Sequence, residues 1–237
     1  MRFGPPLIEA RLIRRYKRFL ADVEFPSGEV STVLCPNTGS MMGVCTPGSR
    51  VWLTYAPSPT RKYAYTWELV EVLPGVLAGI NTSRPNALVE EAVRSGVIRE
   101  LAGYKSVRRE VKFGVEGSRI DLLLEGGRRR KPCYVEVKNV TAAVDGGIAL
   151  FPDAVSTRAT KHLRELMHVV DAGSRAVLLF CVQRGDVGEV RPADAIDAAY
   201  GGTLREALCR GVEVLAYRAA VSVQGIALQS LLPVVCP

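Results

Sequence analysis

The chain is poor in histidine and has no cysteine spacing suited to a metal. Its two histidines are His162 and His168, and its six cysteines (Cys35, Cys45, Cys133, Cys181, Cys209, Cys236) include no Cys-x-x-Cys pair. That argues against a structural zinc site, which needs four closely grouped sulfur or imidazole ligands. The cysteines read as small buried apolar residues. Cys35 and Cys45 flank a loop and could pair, an unusual arrangement in a reducing compartment. No apolar run reaches the roughly 20 residues that a membrane helix needs. The opening Met-Arg-Phe-Gly-Pro-Pro would break a hydrophobic leader helix. The expectation is a cytoplasmic protein with no membrane partner. Internal repeats and low-complexity tracts are also missing, so solenoid and disordered classes fall away.

What is present is ordinary globular material. The 237 residues are 48% hydrophobic and 23% charged, enough for one large or two small domains. Lys and Arg number 31 against 24 Asp and Glu, a formal charge of +7. That excess is permissive for a polyanionic partner and does not identify one.

Two parts are readable. Residues 1 to about 80 look β-rich. Ala21, Val23 and Phe25 alternate with Asp22 and Glu24 before a Pro26-Ser27-Gly28 turn. Further strands are expected at Val30–Leu34, Arg50–Tyr55 and Tyr63–Leu69. Short strands with Gly and Pro turns at this spacing predict a small barrel, and strict alternation assigns Tyr63, Tyr65 and Trp67 to its inside. The cluster Arg11, Arg14, Arg15, Tyr16, Lys17, Arg18 and Phe19 reads equally as a surface for single-stranded nucleic acid or as a solvated basic strand edge. The donor-rich loop Asn37-Thr38-Gly39-Ser40 could offer backbone N–H groups to a phosphate, or be a polar barrel loop.

From 81 to 237 the period changes. A helix is expected over Asn86–Leu101, with Ser83 as N-cap, Pro85 in its first turn and Gly103 at its end. Strands at Ser106–Phe113, Ser118–Glu125 and Pro132–Val140 follow, the last two joined at Gly126-Gly127. Then come a lid-like loop at Thr141–Val155, a helix at Ser156–Val170 and a strand at Ala176–Val182. Helical patches at Pro192–Tyr200 and Thr203–Arg210 and a strand at Val212–Arg218 complete an α/β sandwich with a central mixed sheet.

Glu136-Val137-Lys138 lies in the strand Cys-Tyr-Val-Glu-Val-Lys-Asn-Val, where alternation projects Glu136 and Lys138 to one face. Asp121 ends a short apolar stretch on the preceding strand, so hairpin pairing brings it beside them. Two carboxylates and a lysine are the parts of a Mg²⁺-dependent phosphodiesterase site: the acids hold a hard cation, which polarises phosphate and activates water. The competing reading is a solvated cross-strand pair. The apolar flanks Tyr134, Val135, Val137 and Val140 count against it, because charge in buried strands needs pairing or a metal.

This order, with Asp121 on one strand and Glu136-x-Lys138 on the next, is similar to the PD-(D/E)XK nuclease superfamily, although Ile120 stands where the name has proline. A narrower resemblance spans nearly the whole chain. Arg14–Leu20, Cys35–Met41, Ser118–Asp121, Tyr134–Thr141, Phe151–Val155, Lys161–Leu163 and Gly211–Tyr217 look like the sugar fermentation stimulation protein A family, with Arg158-Ala159 replacing an Arg-Gly. The resemblance implies an N-terminal OB-fold-like β-barrel (1–80), a C-terminal PD-(D/E)XK nuclease-like α/β domain (81–237) and DNA binding.

The site residues that follow are Asp121 and Glu136 as ligands of Mg²⁺ or Mn²⁺, with the Val137 carbonyl as a further ligand, and Lys138 to orient water or stabilise the developing phosphorane. Glu90, or Glu91, is the acid expected on the first helix. Arg14, Arg15, Lys17, Arg18, Asn37, Thr38, Arg158 and Lys161 are the candidate nucleic-acid contacts. His162 reads as a general base or, with Lys161 and Arg164 beside it, as a surface residue. Arg128-Arg129-Arg130-Lys131 reads as a solvated hairpin tip. Three functions fit: a metal-dependent nuclease on DNA, a non-catalytic DNA-binding regulator of sugar metabolism genes, and a phosphodiesterase acting on small nucleotides. A homodimer would suit duplex DNA.

Overall fold

A computed structural model describes residues 1–114, 117–127, 130–144 and 146–237; Arg128 and Arg129 of the hairpin tip lie outside them. The first part is a barrel of β1 (Ile8–Tyr16), β2 (Leu20–Glu24), β3 (Val30–Leu34), β4 (Arg50–Tyr55), β5 (Tyr65–Leu73) and β6 (Val76–Gly79). The strand order is β3-β2-β1-β4-β5-β6, and a parallel Leu34–Thr66 pairing between β3 and β5 closes the ring. Alternating apolar residues supply the filling, among them Leu12, Val23, Val33, Val51, Leu53 and Trp67. Trp67 is fully buried, and its indole N–H donates to the Leu69 carbonyl at 2.8 Å.

The inward reading holds fully for Trp67 and in part for Tyr65, which packs against the rim of the barrel core, but not for Tyr63. Tyr63 precedes β5, and Tyr65 is half-buried against Phe25 and Tyr55. A register shift between Trp52 and Leu53 breaks the β4–β5 alternation. A bulge changes which face a side chain points to. Trp67 and Val70 consequently fill the barrel, while Leu69 and Trp52 turn outward into the core of the second part.

The second part contains α1 (Pro85–Arg94), β7 (Ser106–Phe113), β8 (Ser118–Glu125), β9 (Cys133–Val140), β10 (Ala143–Val144), β11 (Ile148–Phe151), α2 (Thr157–Asp171), β12 (Arg175–Val182), β13 (Glu189–Pro192), α3 (Ala198–Cys209), β14 (Glu213–Ser222) and β15 (Gly225–Leu232). Its main sheet runs β15-β14-β12-β9-β8-β7. The inner strands β14, β12 and β9 are parallel, and the outer ones antiparallel. Helices α2 and α3 cover one face through Leu163, Leu166, Tyr200 and Leu204. The other face takes α1, the outward barrel residues and the first residues of the chain, with Met1, Phe3 and Leu7 packed there.

Several boundaries differ from expectation. Helix α1 ends at Arg94 because Gly96 adopts φ +75, and a separate 3-10 turn occupies Arg99–Leu101. Arg84 holds the N-cap position without a side-chain bond, while the Ser83 hydroxyl donates to Asn81 Oδ1 at 2.7 Å. The lid-like stretch contains β10 and β11, and β11 pairs in parallel with β13. Of the two expected C-terminal helical patches, Pro192 ends β13 and 193–197 form a turn, so only Ala198–Tyr200 of the first joins the second in α3, capped by Asp197, whose carboxylate accepts from the Tyr200 N–H at 2.9 Å. Cys35 and Cys45 are not joined: all six cysteines are free, and the Cys35 thiol faces Met41 Sδ at 3.4 Å.

The two parts share an ion pair whose carboxylate is fully buried and whose arginine is half-buried. Glu68 on β5 is 1% exposed. It accepts from Arg84 at 2.6 Å, Asn81 at 3.0 Å and Thr54 at 3.1 Å. Barrel, connector and the start of α1 thus meet on one carboxylate.

Candidate functional site

The site forms where β8 and β9 part. Their ladder pairs Leu124–Cys133, Leu123–Tyr134 and Leu122–Val135. At the next step the Asp121 side chain replaces a backbone acceptor: its Oδ2 accepts from the Val137 N–H at 2.7 Å. A buried N–H must be satisfied, so the carboxylate is fixed by the strand separation itself. Asp121 Oδ1 accepts from Asn86 Nδ2 at 2.8 Å, a group supplied by the first turn of α1.

Glu136, 2% exposed, enters from the other side. Its Oε1 accepts from Lys138 Nζ at 2.7 Å and is hydrogen-bonded to His162 Nδ1 on α2. With Glu136 ionised, Nδ1 must carry the proton. Arg158 Nε faces Nε2 at 3.5 Å. Glu136 Oε2 is buried with no hydrogen-bond partner.

The electrostatics set the two acids apart. Burial, reinforced by the nearby Glu136 charge, pushes Asp121 from 3.8 up to about 6. Burial also pushes Glu136 upward, but the His162 hydrogen bond and the Lys138 charge outweigh it and hold that carboxyl below its ordinary value.

A hard cation fits this arrangement. The donors are carboxylate oxygens, the ligand type of Mg²⁺, Mn²⁺ and Ca²⁺. The unpartnered Oε2 and the strained Asp121 charge are the two features such an ion would relieve. Among the described residues no three His, Cys, Asp or Glu side chains form a ready-made cage. The remaining ligands would be backbone, water or substrate oxygens, as is usual for Mg²⁺.

The other expected residues distribute as follows. Glu90 is held by Arg94 at 2.7 Å and by Arg109, and forms no bond to Asp121 or Glu136 among the described residues. Burial raises its carboxyl, and the two arginines bring it below its ordinary value. Glu91 bonds the amino group of Met1 at 2.8 Å. Arg14 pairs with Asp22 at 2.8 Å. Arg15 donates to the carbonyls of Asn37 and Gly39, and Arg18 to that of Thr38. Lys17 is exposed at the β1–β2 turn with φ 49. Arg158 is exposed on the first turn of α2, and Lys161 is half-buried on the next.

One site residue, Asn86, is absent from the sequence reading, and His162 departs from the surface placement weighed for it. Asn86 lies one helical turn before Glu90, on the same face of α1, and a polar side chain there was the available signal. His162 is 7% exposed, not a surface residue. Its spacing with Ala159, Leu163 and Leu166 puts it on the buried stripe of α2.

Comparison with known proteins agrees with this architecture. The family model "SfsA N-terminal OB domain" matches residues 13–80, and "Sugar fermentation stimulation protein RE domain" matches 83–225. A sugar fermentation stimulation protein homolog of Thioalkalivibrio sulfidiphilus is 63% identical over 234 residues, covering 99% of this chain and 98% of its own. One from Teredinibacter turnerae is 60% identical, covering 99% of this chain and 100% of its own. The solved structure of Pyrococcus furiosus SfsA in complex with Ca²⁺ superposes with a TM-score of 0.87 at 28% identity, covering 99% of this chain and 98% of that one. An OB-like barrel followed by a mixed sheet flanked by helices, with matches along the whole length, makes this chain a member of the sugar fermentation stimulation protein family.

Proposed function

We propose that this protein hydrolyses phosphodiester bonds of DNA, using a divalent cation, Mg²⁺ or Mn²⁺, held by Asp121 and Glu136. The observation that carries the reading is the unpartnered Glu136 Oε2 beside an Asp121 whose ionisation burial and Glu136 oppose. When bound, the cation would polarise the phosphoryl group and lower the pKa of water. The Ca²⁺ in the P. furiosus relative supports the same ligand class.

The protein groups have separable roles in this reading. Lys138 and His162 both occupy Glu136 Oε1, so the free lone pairs of Oε2 face the ion. Asn86 and the Val137 N–H fix Asp121 in turn. The Lys138 ammonium is the positive group placed to steady an attacking water or the charge that develops on phosphorus. Exposed Arg158 on α2 and Lys17 on the barrel turn would meet phosphates of the bound strand. Arg15 and Arg18 act one step back, holding the loop that contains Asn37 and Thr38.

The test is incubation with plasmid and single-stranded DNA in Mg²⁺ or Mn²⁺, beside Lys138→Ala and an EDTA control. Cleavage that disappears in both controls is expected. Retention of DNA without cleavage under either metal would overturn the catalytic reading and leave a DNA-binding regulator.

A further inference from the structure

One residue past Lys138, at the carboxyl end of β9, a cleft of about 290 Å³ opens where the barrel meets the sheet. Ligands of α/β sheets characteristically bind beyond the carboxyl ends of parallel strands. Both parts of the fold contribute walls: Thr38 and Gly39 from the barrel loop, Asn139 and Thr141 at the end of β9, and Leu150 and Phe151 from β11.

The loop wall is firmly built. Arg15 Nη2 donates to the carbonyls of Asn37 at 2.9 Å and Gly39 at 2.8 Å, and Arg18 Nη2 to that of Thr38 at 2.8 Å. Across the junction, Asp153 Oδ2 accepts from Ser40 Oγ at 3.1 Å and from the Met41 N–H at 3.0 Å. A Cβ at position 39 would fall 2.7 Å from that same oxygen, so glycine permits the closure. On β9, Asn139 Oδ1 accepts from Gln183 Nε2 at 2.6 Å. This contact fixes the amide and leaves its Nδ2 donor for a ligand.

The lining decides the ligand. Among the described residues around the cleft there is no Lys or Arg, and Asp153 is acidic. A phosphate would therefore be poorly held. Amide and hydroxyl groups facing the apolar Leu150 and Phe151 suit a flat, neutral heteroaromatic ring. The volume falls just below the usual range of ligand pockets, about 300–1,000 Å³. It has room for one nucleoside and not for a base pair.

We propose that this cleft is a nucleobase subsite, which takes one unpaired base of the substrate strand next to the bond being cut. The proposal rests on the DNA-cleaving reading above and adds a preference for single-stranded or locally opened DNA.

The test measures binding by fluorescence anisotropy in EDTA, which removes cleavage. The probe is a short labelled single strand, and a set of the same strands each carries one abasic residue at a successive position. One abasic position should weaken wild-type binding about tenfold, with the others near neutral. Thr38→Trp, which fills the cleft from an exposed position, should reduce the intact strand to the affinity of that abasic strand. Tight binding with a flat abasic scan would overturn the subsite and leave the nuclease reading standing. No affinity for either the single strand or its duplex would overturn both.

Discussion

Replacing Asp121 by Asn should make the metal-free protein more stable while destroying its response to metal. The Asp121 carboxyl rises from 3.8 to about 6 in the folded state, through burial first and the Glu136 charge second. At about 1.4 kcal/mol per pH unit, ionising it in the fold costs about 3 kcal/mol at neutral pH. Because the folded value is the higher one, the Asp121 contribution to stability is fully present below pH 3.8 and is lost as pH rises through about 6. An amide of the same shape can still accept from the Val137 N–H, and Asn86 can turn its own amide to match. The expected gain is therefore about 1–3 kcal/mol at pH 7.5 in EDTA, several degrees of melting temperature for a chain of this size. No gain is expected near pH 3.5. Added Mn²⁺ should raise the melting temperature of wild type, as any ligand of the native state does, and leave the variant unmoved. The assay is thermal unfolding of both proteins at the two pH values, with EDTA and with Mn²⁺. A variant less stable than wild type at pH 7.5 in EDTA, or one that keeps the Mn²⁺ response, would refute the reasoning.

Other outcomes follow from the same contacts. His162→Ala should weaken Mn²⁺ binding by calorimetry about 10–100-fold, and His162→Gln, which restores an N–H donor, should recover part of that loss. Mn²⁺ affinity should fall about tenfold for each pH unit below about 6, where the ion competes with the Asp121 proton, and flatten above pH 7. Arg84→Ala should cost about 3–5 kcal/mol in urea unfolding, because it strands the buried Glu68 charge; Glu68→Ala should cost less, since Arg84 can turn toward water. A thiol reagent should label exposed Cys209 first and half-buried Cys45 and Cys236 slowly. Buried Cys133 and Cys181, whose thiols burial pushes up to about 12, should react only in denaturant.

The legible parts of this molecule are those set by local pattern. Alternation along β9 was enough to place Glu136 and Lys138 on one face, and Gly126-Gly127 to join β8 to β9. The strand order of the barrel was not readable, because ring closure rests on one non-local pairing, Leu34 with Thr66. Phase within β5 failed at a bulge, and bulges leave no compositional trace. Helix α1 is shorter than its apolar period suggests, because Val97 and Ile98 continue that period past Gly96 and pack instead as an extension toward the 3-10 turn. At the candidate site, the two acids and the lysine were visible as strand residues, whereas Asn86 and His162 come from helices on opposite faces of the sheet. Only the separation of β8 from β9 brings them into one place.

The account turns on a cation between Asp121 and Glu136. Crystals grown with Mn²⁺ and measured for anomalous scattering would locate it directly. The expected result is a peak within ligand distance of Glu136 Oε2 and Asp121, about 2.2 Å, absent from crystals of Asp121→Asn. A fully bound Mn²⁺ found elsewhere on the protein, with Oε2 still unpartnered, would contradict the account.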